Sequence, residues 1–186
     1  AYLKTYYPNE FISASMSNEL SNTDKLSEFF EELKRLEIQV QRPCINKCFA
    51  DFIPKDKYLF YALGAIKNVG FDAVSYLVKE REKNGKFKSL NDFIKRSNPK
   101  DINKLQLEGL TKAGAFDDLE NSRSALLNSI PNIIQLNKSL WDEKQSKQNN
   151  LFEDSSSEND FLFKTNEIKK WTNNEMLMNE FHSIGF

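Results

Sequence analysis

The sequence is short of metal ligands and of long apolar runs. Its 186 residues hold two cysteines, Cys44 and Cys48, and a single histidine, His182. A structural zinc site needs four such ligands grouped in space, and an iron–sulfur cluster needs four thiolates, so both are set aside. Free, partly buried thiols in a reducing cytoplasm are the plainer reading of the pair. No apolar stretch reaches the roughly 20 residues that span a bilayer, and none at the start has the form of a secretory signal. A cytoplasmic protein without a membrane partner is therefore expected. Net charge is missing too. With 26 Lys and Arg against 27 Asp and Glu the balance is -1, which argues against a uniformly basic DNA binder.

What is present is uneven. Hydrophobic residues make up 39%, with 15 Phe, enough for a core in one or two small domains. Residues 79–112 hold ten Lys or Arg against five Asp or Glu, whereas residues 113–186 hold seven against twelve. A basic block of this kind is either a solvated helix face or the footprint of an anionic partner. It lies around two similar turns. The first is in Tyr58–Glu82: a short aromatic strand-like run, the turn GAIKNVG, then an apolar stripe of Ala73, Val74, Leu77 and Val78 at helical spacing, stopped by Gly85. The second is LEGLTKAGAFDDL, where a helix over 104–112 precedes Gly114-Ala115-Phe116 and a new start is expected at Asp117 or Asp118. A glycine turn ahead of a helix points backbone N–H groups at whatever lies beyond the helix N-terminus, and a phosphate suits that position. The same glycines would also end helices with no ligand involved. Two such turns in tandem, with Lys67 and Lys112 beside them, favour phosphate binding.

Elsewhere the periodicity predicts helices. Asn9 is the expected cap of the first full one. Asn22 or Thr23 caps a stronger one carrying Leu26, Phe29, Phe30, Leu33 and Leu36. Ser89 caps a short one. Cys48–Phe52 and Tyr58–Ala62 are expected to pair as a small hairpin. A helix from Ser122 should kink or restart at Pro131. From Asp142 to Asp160 the composition turns to Lys, Gln, Asn, Ser and Glu, which reads as a linker. Leu151 and Phe152 interrupt it, and something should bury them. The last 26 residues return to a helical pattern through Trp171, Leu177 and Phe181.

The ordered set is specific. AYLKTYYPNEF, the RPCIN turn, LGAIKNVG, SLNDF, LTKAGAFD followed by SRSALL, and a QxxLF pentapeptide occur in that order. The turns resemble helix-hairpin-helix motifs, and the whole chain resembles the bacterial replicative C-family polymerases, the DNA polymerase III alpha subunits. Asn68, where the hairpin usually has Gly, departs from the pattern, as do Gly109, Thr111 and Pro131. The resemblance implies a mainly α chain. Residues 1–47 would be the end of the fingers and 48–141 a tandem helix-hairpin-helix domain with a small β-hairpin. Residues 142–160 would be a flexible linker with a clamp-binding motif, and 161–186 the approach to an oligonucleotide-binding domain. Both ends read as interior to a longer protein.

The resemblance further implies double-stranded DNA, the sliding clamp and other holoenzyme subunits as partners. DNA contact would fall on Lys67, Asn68, Val69, Gly70, Phe71, Lys112, Gly114, Ala115 and Phe116. Gly70 is expected at positive φ. Clamp contact would fall on Gln148, Leu151 and Phe152. The polymerase's catalytic aspartates and Mg2+ belong upstream, so no catalytic residue, metal site or cofactor is expected here, and the chain alone should be inactive. A helix-hairpin-helix repair enzyme would need a Lys or Asp just after the hairpin, which Asp72 fits only loosely. A non-catalytic interaction scaffold is the other alternative.

Overall fold

Helix α1 (Tyr2–Tyr6) ends where Pro8 opens α2 (Pro8–Ser17), and α3 (Thr23–Arg35) follows. The computed structural model describes residues 2–149, 163–165 and 168–185. Among these the fold is mainly α, with one small sheet. Pro8 takes the first helical position, where a missing N–H costs nothing. Asn9, the expected cap, is therefore inside α2. Its side-chain amide instead donates to the carbonyls of Asp56 and Tyr58, both at 3.1 Å. Asn22 does cap α3, accepting from the Lys25 N–H.

Strands β1 (Gln39–Gln41), β2 (Ile53–Lys55) and β3 (Tyr58–Phe60) form a sheet in the order β1-β3-β2. β1 runs parallel to β3 and β2 antiparallel to it, with Pro54 opposite Leu59. The hairpin is thus shorter and later than its expected first arm, Cys48–Phe52. A two-residue turn with Asp56 at φ 55 closes it, and the aromatic run before it joins the sheet only through a bridge from Phe49 to Ala62.

Four helices follow: α4 (Phe71–Asn84), α5 (Leu90–Arg96), α6 (Lys104–Lys112) and α7 (Arg123–Asn149). Ser89 caps α5, and Asn103 with Gln106 makes a capping box on α6. The start expected at Asp117 or Asp118 is delayed to Arg123, because residues 113–119 form turns instead. α7 runs unbroken through Pro131. That residue is solvent-facing, so water can take the carbonyl its ring leaves unpaired. The helix also continues into the first part of the expected linker. Glu143, Lys144 and Gln145 are polar but strong helix formers, and Lys144 Nζ donates to the Lys95 carbonyl at 2.7 Å. The rest of the expected linker, from residue 150, lies outside the described residues. Helix α8 (Asn173–Ile184), capped by a Thr172–Glu175 box, returns to the body.

One core runs through all of this. Ile12, Met16, Leu26 and Leu33 belong to the same buried cluster as Leu59, Val74, Leu107 and Ile133. No helix among the described residues is long and apolar enough to cross a membrane.

Candidate nucleic-acid interface

The first turn is built by a short 3-10 segment, Leu63–Ala65, whose Gly64 lies so close to Ala50 that a Cβ would sit 2.7 Å from its carbonyl oxygen. Asn68 then takes φ 64, the left-handed region that Asn tolerates better than most residues. Val69 is buried and its N–H returns to the Ile66 carbonyl at 3.0 Å. Gly70 precedes α4 with φ -73 and ψ 135, ordinary extended backbone. The positive φ expected at Gly70 is therefore at Asn68, two residues earlier. Among the described residues no side chain caps α4, so the N–H groups of Phe71, Asp72 and Ala73 point out of the helix as donors. Asp72 sits in this turn and opposes an anion there.

This reverses an expected ranking. Asn68→Val should lower unfolding free energy by about 1–2 kcal/mol, whereas Asn68→Gly should be nearly neutral. Gly70→Val should cost less than Asn68→Val, since its added Cβ needs no positive φ and meets a single side-chain atom, the Gln106 amide nitrogen at 3.2 Å. Urea unfolding of the three variants measures the order, and Gly70→Val proving the worst would sink this reading.

The second turn is a different object. α6 ends in a Schellman cap: Gly114 at φ 79 donates to the Thr111 carbonyl, and Ala115 donates to Leu110 at 2.9 Å. The Ala115 carbonyl accepts from Ile45 N–H. Phe116 is buried, edge-on to Phe93 at 5.0 Å. Gly114, Ala115 and Phe116 thus sit in a packing joint, with the N–H groups of Gly114 and Ala115 already paired.

Arg123 closes that joint, and sequence reasoning passed it over. Its guanidinium binds both Asp117 carboxylate oxygens at 2.6 and 2.8 Å, reaches Glu180 of α8 at 2.6 Å, and lies over Gly114, where no Cβ would fit. Asp117, then Glu180, hold Arg123 firmly protonated. Asp118 accepts from the Cys44 thiol at 3.2 Å and pairs with Lys47 at 3.1 Å; these partners, Cys44 first, keep its carboxyl below the usual range. Burial pushes the Cys48 thiol up to about 11, which suits an inert structural cysteine. Among the described residues no group of three or more His, Cys, Asp or Glu is placed to hold a metal ion. Asp117 and Asp118 serve local ion pairs.

The structure brings the two expected lysines together. Lys67 and Lys112 line one crevice with Asn68, Glu108 and His182. Gly109 makes this possible: a Cβ there would lie 2.7 Å from the Lys67 carbonyl oxygen, so α6 can cross the first turn only at a glycine. α8 supplies the third wall, with the Lys67 N–H donating to the Ser183 carbonyl at 2.8 Å. That contribution was legible only as Gly185 after an amphipathic run. Gln148 lies in the last turn of α7, and Leu151 and Phe152 lie outside the described residues.

The chain is similar to known proteins along its whole length. The family model described as a helix-hairpin-helix motif covers residues 37–126. A DNA polymerase III subunit alpha of Borreliella burgdorferi is 38% identical over 188 residues, which is 100% of this chain and 16% of the relative. The same subunit of Caulobacter vibrioides is 38% identical over 187 residues, with the same shares covered. That of Campylobacter jejuni is 38% identical over 156 residues, 82% of this chain and 13% of the relative.

Proposed function

Because the chain belongs to the DNA polymerase III alpha family, spanning 16% of the length of the first relatives it matches, we propose that it grips duplex DNA and tethers its polymerase to the sliding clamp. The observation that carries the DNA half is the meeting of Lys67 and Lys112 at one crevice beside the uncapped start of α4. Backbone donors and ammonium groups recognise phosphate without reading bases, which is what a replicative enzyme needs behind its point of synthesis. The grip adds contact and hence processivity. In this reading Val69, Gly70 and Phe71 form the contact turn, and Phe71 is half exposed beside it. Gly114, Ala115 and Phe116 act as its support, with Lys112 reaching the DNA.

The clamp half rests on Gln148, Leu151 and Phe152 following the hairpins in sequence. Within such a polymerase, residues 1–47 would close the fingers, 48–141 would be the DNA-binding unit, and residues from 161 would lead to an oligonucleotide-binding domain. Nucleotidyl transfer and its Mg2+ would reside in a palm outside this chain, and the protein would work in the cytoplasm with the other holoenzyme subunits.

Lys67→Ala tests the DNA half. It should weaken duplex binding equally for all sequences and shallow the slope of log affinity against log salt by at most about one. Fluorescence anisotropy between 50 and 200 mM salt, on the order of the range where such binding changes most, gives both quantities. A strong dependence on base sequence, or a slope and an affinity both unchanged, would show that phosphate is not the ligand.

A further inference from the structure

Building on the duplex-binding reading, we infer that Lys67, Lys112 and His182 hold a single phosphate group between them, so that two turns and α8 make one anion site. Read from the chain alone, each turn would have its own phosphate. The geometry opposes that division. The second turn has the N–H groups of Gly114 and Ala115 engaged within the chain, and Lys112 faces the crevice of the first turn. Three separate elements converge there: the loop before α4, the last turn of α6, and the last turn of α8.

The convergence is fixed by backbone contacts. Gly109 seats α6 against the Lys67 carbonyl. The Lys67 N–H holds the Ser183 carbonyl, one residue from His182. Gly185, at φ 100, lets the end of α8 come against Thr23 and the Lys67 side chain, where a Cβ would lie 2.7 and 3.2 Å away.

The charge balance of the crevice favours an anion. Among the described residues neither the Lys67 nor the Lys112 ammonium is in an ion pair. The one carboxylate lining the crevice, Glu108, has Lys104 at 3.8 Å on its own helix. Two ammonium groups are compact point charges without the planar fork of arginine, and they suit the separate oxygens of a phosphate. A phosphodiester offers two non-bridging oxygens, and an imidazole N–H supplies a third donor. Inorganic phosphate presents the same chemistry, so the experiment must separate the two sources.

Duplex binding by the full chain should be measured across salt for Lys67→Ala, Lys112→Ala, the double variant and His182→Ala. A shared phosphate predicts that the double variant shallows the salt slope by about one in total. It also predicts that His182→Ala weakens binding about fivefold in the parent and has no effect in the double variant. A slope change of about two, or an equal His182 effect in both backgrounds, overturns the inference. Slow hydrogen exchange at the Lys67 amide in His182→Ala verifies that α8 stays docked. Titration with inorganic phosphate, followed by amide shifts, separates the remaining cases. If the chain ignores duplex but phosphate shifts the amides of Lys67, Lys112 and His182 together, the shared site stands and the duplex reading fails. If neither ligand registers, the inference fails with it.

Discussion

Gly109→Val is expected to lower the unfolding free energy by about 3 kcal/mol and duplex affinity by about tenfold. A valine Cβ would be driven to 2.7 Å from the Lys67 carbonyl oxygen, 3.1 Å from a Val69 methyl and 3.5 Å from an Ile66 methyl. The nearest of these is backbone, in a turn pinned by the Val69-to-Ile66 and Lys67-to-Ser183 hydrogen bonds, so it cannot step aside as a side-chain tip would. α6 must then move off the turn, and Leu107 and Leu110, both buried, move with it. Better helix propensity at position 109 returns only about 0.4 kcal/mol, too little to change the sign. Affinity should fall because the same displacement separates Lys112 from Lys67. Urea unfolding and anisotropy on one preparation measure both effects. A variant as stable as the parent would mean that α6 does not cross the turn here.

Gly109 also shows where the sequence was readable and where it was not. In the sequence it stood out only as a departure from the hairpin pattern, at a position where glycine is also a weak helix former. Its reason is a contact with the turn at Lys67, far earlier in the chain, and no local pattern records that. The ends of α6 were legible because Asn103, Gln106 and Gly114 are cap residues with local effects. The sheet hairpin was half legible. A short aromatic run marked the strand at Tyr58, but Asp56 at φ 55 set the register, and the first arm shifted to Ile53–Lys55.

The turn glycine misled for a related reason. Gly70 was expected to carry the strained backbone because glycine is the residue that does so most easily, yet Asn68 carries it. Charge composition misled at α7. Polar residues from Asp142 onward were taken for linker, although Glu, Lys and Gln extend a helix well when an apolar stripe as deep as Ala125, Leu126, Ile130 and Ile133 starts it. The crevice itself was legible only in parts. Lys67 and Lys112 could be named from their turns, whereas His182 comes from a segment whose docking is a tertiary matter.

Replacing Leu151 and Phe152 together by alanine should abolish clamp binding. These are the large apolar side chains of a segment that is otherwise Lys, Gln, Asn, Ser, Asp and Glu. Burying both in a pocket would yield roughly 3–6 kcal/mol of transfer free energy before the cost of ordering the segment is subtracted. A micromolar complex corresponds to about 8 kcal/mol, so losing roughly 3–6 kcal/mol weakens it about 10²- to 10⁴-fold and takes it out of the micromolar range. Gln148 is three residues before Leu151, the right offset for an amide to hydrogen-bond at a pocket rim. It lies in the last turn of α7, where helices fray at little cost. The body holds this helix only a turn earlier, at Lys144. A fluorescent peptide spanning residues 144–155 and the full chain should both be titrated with the cognate clamp, each as parent and double variant. Parent peptide and parent chain should bind in the micromolar range and both variants should not. If the double variant binds as well as the parent, the pentapeptide is only a connection, and the clamp half of the proposal fails.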